Sequence, residues 1–186
     1  MRTLALIGCG RISHKHIEAA VKNADRLKLI ACCDPKLDRA EAKAAEYRKS
    51  FSEAKVAVYA DYQEMLAKER PDLCAIATES GYHPRISMDC SAAGAHVICE
   101  KPMALSTSDA DAMIAAARKA GRILSVCFQN RFNAPVQRTR AALEAGRFSR
   151  MLHGMVQVRW NRNEAYYAEA HWRGTWDLDG GTLMNQ

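Results

Sequence analysis

Nothing in the 186 residues approaches the roughly 18 consecutive apolar residues of a membrane-spanning helix, so no membrane partner is expected. The opening MRTLALIGCG is too short and too interrupted by glycine for a signal peptide. It reads as a strand, and the protein is expected in the cytoplasm. There is no C-x-x-C pair, and the cysteine count, seven, is odd. Both features disfavour a disulfide framework. Cys9, Cys32, Cys33, Cys74, Cys90, Cys99 and Cys127 mostly lie inside apolar runs such as LCAIA and HVIC. They read as small buried hydrophobes in a reducing compartment, and no metal site is expected. Internal repeats, low-complexity segments and flexible linkers are missing as well. So is a basic-aromatic stripe: the net charge is +6, but Lys and Arg are scattered over helices with acids between them. Nucleic acid is therefore not an expected partner. A mildly basic enzyme for an anionic substrate fits the charge as well.

What remains is an ordinary globular composition, 48% hydrophobic and 26% charged, with room for one domain and part of a second. Short apolar runs alternate with helical periodicity. LALIG (4–8), LKLIACC (27–33), KVAVYA (55–60), LCAIA (73–77), HVIC (96–99) and ILSVCF (123–128) read as strands. Between them, Leu37, Ala40, Ala44 and Tyr47 form one buried helical stripe, and Ala110, Met113, Ile114 and Ala117 another. Asp61 with Glu64 and Ser106 with Asp109 look like capping boxes. Uninterrupted apolar strands are covered on both faces, which predicts an α/β fold with a doubly wound parallel sheet over residues 1–129. The pattern changes after about residue 130. A helix near 135–145 ends at Gly146, and MLHGMVQVRW (151–160) then alternates, which predicts a strand in a sheet with one open face. Residues 130–186 are accordingly expected to begin a second, α+β domain.

Gly8-Cys9-Gly10-Arg11-Ile12-Ser13 follows the first strand and opens a helix. It matches G-x-G-x-x-G, with Ser13 in place of the last glycine. Gly8 suits the tight turn, and Gly10 lets backbone approach a pyrophosphate at a helix N-terminus. Asp34 closes the second strand, where a carboxylate accepts ribose hydroxyls and repels a 2′-phosphate; NAD is favoured over NADP. Asp34 is equally placed to cap the helix that Pro35 would open. His14 and His16 read as exposed residues of the first helix. At the carboxyl ends of later strands come Thr78-Glu79-Ser80-Gly81-Tyr82-His83-Pro84 and Glu100-Lys101-Pro102, and at the domain junction Gln129-Asn130-Arg131. Open α/β sheets bind ligands at such strand ends.

GCGRIS, ATESGYHP, HVICEKPMA and DGGTLMNQ together resemble the Gfo/Idh/MocA oxidoreductases, over nearly the whole chain. Glu79 departs from the pattern, since members usually carry proline there. The resemblance implies NAD on the first domain, held by Gly8, Gly10, Arg11, Ile12, Asp34, Thr78, His83, Glu100, Lys101, Gln129, Trp172 and Arg173. It implies a sugar or polyol on the second domain, and Lys101 as the catalytic residue between nicotinamide and substrate. An ammonium there lowers the pKa of the hydroxyl being oxidised, and a buried lysine can relay its proton. Without the resemblance Lys101 would read as a surface lysine.

QNRFNAPVQ, VRWNR, Tyr166-Tyr167 and WRGTWDLDGGTLMNQ resemble one branch of that family, the UDP-N-acetyl-2-amino-2-deoxyglucuronate 3-dehydrogenases of surface-polysaccharide (lipopolysaccharide) pathways. The substrate then implied is a nucleotide sugar oxidised to its 3-keto form. Arg131, Arg159 and Arg173 suit its diphosphate and carboxylate, and Asn185 can both donate to and accept from a sugar hydroxyl. Arg159 would point to the polar face of its strand; a solvated sheet residue is the plainer alternative. Trp160, Trp172 and Trp176 read equally as core or interface. An inositol or simple-sugar dehydrogenase and a non-catalytic NAD(H)-binding fragment stay open as alternatives.

In the family, MNQ runs on into a helix with a histidine three positions later and an aspartate three beyond that. The expectation is thus a truncated chain that alone binds NAD poorly and does not turn over. Its unfinished sheet would favour aggregation. Full-length family members are expected to form dimers or tetramers.

Overall fold

The computed structural model describes residues 1–185, so Gln186 lies outside it. The chain divides into two compact units, one made of residues 1–127 with 174–185, the other of 128–173.

The first unit is built on six parallel strands: β1 (Arg2–Ile7), β2 (Leu27–Cys33), β3 (Ala57–Tyr59), β4 (Leu73–Ile76), β5 (His96–Cys99) and β6 (Leu124–Val126). Their order is β3-β2-β1-β4-β5-β6, the doubly wound Rossmann order. The helices are α1 (Ser13–Lys22), α2 (Leu37–Arg48), α3 (Tyr62–Glu69), α4 (His83–Ala92) and α5 (Thr107–Lys119). The apolar runs of β1 to β4 are uninterrupted because each of these strands feeds two cores. Leu4, Leu6 and Ala75 pack with Ile17 and Ala20 of α1 and Ala40, Ala44 and Tyr47 of α2. Ala5, Ile7, Cys74 and Ile76 pack with Met65 of α3, Ile86 and Cys90 of α4 and Met113 of α5. The β1–β2 register slips at Ile30, so Leu29 and Cys32, an odd number apart, face the same core.

Both expected helix starts form. Asp61 accepts from the Gln63 amide, and Ser106 accepts from the Asp109 amide while donating to its carboxylate. The Asp61 box is not reciprocal, because Glu64 pairs with Lys68 instead. Leu37 and Ile114 stay exposed. Leu37 is the first residue of its helix, and Ile114 lies on the flank of a stripe that Met113 and Ala117 already fill.

The second unit holds a 3-10 turn (Gln129–Phe132) and the helices α6 (Ala134–Glu144) and α7 (Glu164–Ala168). The strand expected over 151–160 does not form: residues 151–163 have no regular structure. Val156 is 91% exposed, and Leu152, Met155, Val158 and Trp160 are exposed with it. Alternation alone cannot hold a strand; its amides and carbonyls need a neighbouring edge, and no described strand pairs with this segment. Arg159 is therefore an exposed residue of an irregular segment and has no sheet face to point from. No helix among the described residues is long and apolar enough to cross a membrane.

Candidate functional site

The carboxyl ends of β1, β2, β4 and β5 converge on one edge of the sheet. Gly8, just past β1, has φ +89° and donates its amide to the Cys33 carbonyl at 2.8 Å. A Cβ there would lie 2.6 Å from the backbone of Ala77 and Thr78, so the turn accepts only glycine. Gly10 differs: nothing lies within 4 Å of its would-be Cβ. Ser13 fills the third glycine position, fully buried, and its hydroxyl donates to the Gly10 carbonyl at 2.5 Å. α1 then begins with no capping side chain and no acid in its first turn. Its N-terminal amides keep their positive potential for an anion. Arg11 is exposed beside this turn, and Ile12 is half-buried.

Asp34 is buried at the end of β2. One carboxylate oxygen accepts the Cys9 amide and the other the Lys36 amide, each at 2.9 Å. It does not cap α2, whose cap position is Lys36. It holds the glycine turn instead, and each oxygen keeps a second lone pair.

Residue 79 takes φ −62°, the angle proline would impose, so Glu79 preserves the local path where the family carries proline. His83, 1% exposed, lies between two loops: Nδ1 is 2.8 Å from the Pro102 carbonyl and Nε2 is 3.1 Å from the Thr78 carbonyl. Burial lowers its pKa, and the two carbonyls only partly oppose this. A neutral ring has one N–H to give, and the shorter contact takes it from Nδ1. Thr78 is half-buried, with its hydroxyl on the Glu79 carbonyl.

Glu100 and Lys101 follow β5, and the Lys101–Pro102 bond is cis. His16 is the correction to the sequence reading. It is not an exposed helix residue: Nε2 meets the Glu100 carboxylate at 3.1 Å, and both side chains are nearly buried. The signal was present, because His16 shares the face of α1 that buries Ser13, Ile17 and Ala20. His14 stays within its own turn, with Nδ1 on the Arg11 carbonyl. Burial pushes the Glu100 carboxyl up, but the hydrogen bond and charge of His16 and the nearby Lys101 outweigh it and hold it below the ordinary range. Cys127 lies beside this pair, its thiol pushed up to about 12 by burial and by Glu100.

Lys101 Nζ donates to Asn185 twice, 2.5 Å to the main-chain carbonyl and 3.1 Å to Oδ1. Asn185 comes from the return segment, in the short helix α8 (Thr182–Asn185). Asp179, which the sequence reading passed over, accepts from the Asn185 amide group and, at 2.8 Å, from the Gly174 amide. Its only signal was an acid directly before Gly180-Gly181.

The remaining expected residues lie in the second unit. Gln129 and Arg131 are exposed on the 3-10 turn, with the Arg131 guanidinium 5.8 Å from the Phe128 ring centre. Trp172 is half-buried. Arg173 is buried, donates to the Tyr166 carbonyl at 2.6 Å, pairs with Glu169, and lies 4.2 Å over the Tyr166 ring.

Residues 2–128 match a family model described as an oxidoreductase family with an NAD-binding Rossmann fold. Among solved structures, the WlbA dehydrogenase from Bordetella pertussis, in complex with NADH and UDP-GlcNAcA, is 39% identical with a TM-score of 0.92. That match covers 100% of this chain and 53% of the other. D-glucoside 3-dehydrogenase of Escherichia coli K12 is 32% identical, over 77% of this chain and 39% of its own length. Myo-inositol 2-dehydrogenase of Thermotoga maritima is 31% identical, over 77% and 41%. The chain thus spans about half the length of these relatives or less.

Proposed function

The chain belongs to the Gfo/Idh/MocA oxidoreductase family, with its NAD-binding Rossmann fold, and on that premise we propose that it is the cofactor-binding part of an NAD-dependent nucleotide-sugar dehydrogenase. The reaction would oxidise the 3-hydroxyl of a UDP-N-acetylglucosaminuronate-type sugar to a ketone, for surface-polysaccharide synthesis. The observation that carries the chemistry is Lys101 Nζ, held at the sheet's carboxyl edge by both oxygens of Asn185.

The residues fit the cofactor. The space beside Gly10 and the uncapped start of α1 suit a pyrophosphate. The spare lone pairs of Asp34 suit ribose hydroxyls, and its charge opposes a 2′-phosphate. Thr78, His83, Glu100 and, from the second unit, Gln129, Trp172 and Arg173 complete the proposed set. NAD, when bound, supplies the hydride acceptor. Lys101 has three N–H donors and places two on Asn185; the third is available to the sugar hydroxyl. There the ammonium would lower the hydroxyl's pKa; the neutral amine, with a lone pair in place of that third N–H, would take up the hydroxyl proton and become the ammonium. Arg131, Arg159 and Arg173 are proposed for the anionic groups of the substrate, with residues 130–186 opening a second domain whose last segment, 174–185, returns to the first unit. A homo-oligomer in the reducing cytoplasm suits this reading.

The similarity over the full chain to a complex with UDP-GlcNAcA favours the nucleotide sugar. The glucoside and inositol dehydrogenase relatives favour a simple sugar or polyol as the second reading. The test is NADH absorbance after adding NAD with UDP-N-acetylglucosaminuronate, myo-inositol or a glucoside. It should be run on this chain and on the longest reading frame containing it. Turnover of the nucleotide sugar alone supports the first reading, and of inositol or glucoside the second. NADH binding with no turnover in the longer protein leaves a binding module.

A further inference from the structure

Asp179 is only 4% exposed, and no cation pairs with it among the described residues. A buried carboxylate with two neutral N–H partners is costly, and the cost calls for a role. Its position suggests one. Gly180 and Gly181, both at positive φ, turn the chain back at once, so Asn185 lies beside the residue that precedes them. A Cβ on Gly180 would meet Leu105 Cδ2 at 2.6 Å, and one on Gly81 would overlap the Asp177 carbonyl. The return segment is therefore packed tightly against the loop that follows Lys101 and the turn that leads into His83.

We propose that Asp179 is a positioning residue that sets the orientation of the Asn185 carboxamide and, through it, the hydrogen-bonding of Lys101. An amide offers oxygen on one side and NH2 on the other, and its neighbours decide which way it faces. An ionised carboxylate only accepts. Asp179 therefore draws the Asn185 nitrogen to itself, which turns Oδ1 to Lys101 Nζ. The Gly174 amide fixes the other carboxylate oxygen, so the acid cannot swing away. Without Asp179 the carboxamide is free to reverse and would present NH2 to an ammonium group. The hydrogen bond from Lys101 is thus oriented by a carboxylate it does not touch. For turnover this rests on the dehydrogenase reading; for Lys101 itself it does not.

The test is competitive acylation of lysine amines with acetic anhydride, with Lys101 read by peptide mass spectrometry across pH. Wild type is compared with D179N, N185A and the double variant D179N/N185D, and thermal unfolding checks that each is folded. D179N lets the amide reverse, and N185A removes it. Each is expected to raise Lys101 labelling at fixed pH by roughly tenfold, the size of effect expected when a hydrogen bond to a charged group is lost. The double variant should return towards wild type, because it exchanges the two groups. The carboxylate moved to position 185 offers Lys101 an oxygen, and the amide moved to position 179 donates to that carboxylate. If D179N does not fold, N185A decides. Unchanged labelling in N185A, or in folded D179N, overturns the proposal. A labelling shift, with no sugar oxidised by the longest reading frame that contains this chain, would uphold the positioning role and sink the dehydrogenase reading.

Discussion

His16 on α1 and Glu100 beyond β5 are 84 residues apart and meet at 3.1 Å, both nearly buried. The contact ties the helix that follows the glycine turn to the residue before Lys101. His16→Ala should cost about 1.5–3 kcal/mol near neutral pH, the range for a hydrogen bond to a charged group. The folded-state pKa of Glu100 is lowered, so its contribution is complete above the unfolded value of ~4.3 and is lost as pH falls through the folded value. Urea unfolding of wild type and variant at several pH values checks this. A gap that stayed constant into strong acid would mean lost packing alone.

His83 has the opposite charge logic. Burial lowers its pKa, so protonation opposes folding. Stability is expected to fall as pH drops below the unfolded value of ~6.5 and through the folded one. His83→Gln keeps an N–H for the Pro102 carbonyl and removes the titration. Its unfolding midpoint should be flatter than wild type between roughly pH 8 and 5. Equal slopes would show that other histidines carry the dependence.

Gly8 and Gly10 should respond differently to the same methyl group. Gly8→Ala forces a side chain to φ +89° and into backbone at 2.6 Å, and should cost at least about 1–3 kcal/mol. Gly10→Ala meets nothing and should shift stability by no more than about 0.5 kcal/mol. It should nonetheless weaken NADH binding, since the methyl group enters the proposed pyrophosphate space. Thermal unfolding with a fluorescence titration of NADH separates the two effects. A Gly10→Ala variant that binds NADH as wild type does would move the pyrophosphate elsewhere.

Asp34→Asn replaces an acceptor of two amides with a group that accepts on one side only. One of the Cys9 and Lys36 amides then loses its partner. NADH affinity should fall roughly tenfold or more, at about 1.4 kcal/mol per decade, and NADPH should be discriminated against less. Titration with both cofactors tests this. An unchanged preference would reduce Asp34 to a brace for the turn.

Most of the first unit was legible in the residue pattern because its signals are local. LKLIACC and HVIC form strands at the limits read from the sequence, and Ser106 starts its helix as its spacing indicates. The 151–160 segment lacks such a local determinant. Its alternation is as clear as that of any strand, but strand formation depends on an edge that the pattern cannot supply.

The alternation of strands and helices, the glycine turn and the acid that follows β2 are all written in the order of the residues. These features depend on backbone conformation and on which side chains avoid water. Three relationships emerge only when the elements pack: His16 meets Glu100, Asp34 braces the Cys9 amide, and Asp179 reaches Lys101 through Asn185. Each joins polar groups that are distant in the chain or carried on different loops, and a polar group's partner is set by what the fold brings within hydrogen-bond reach.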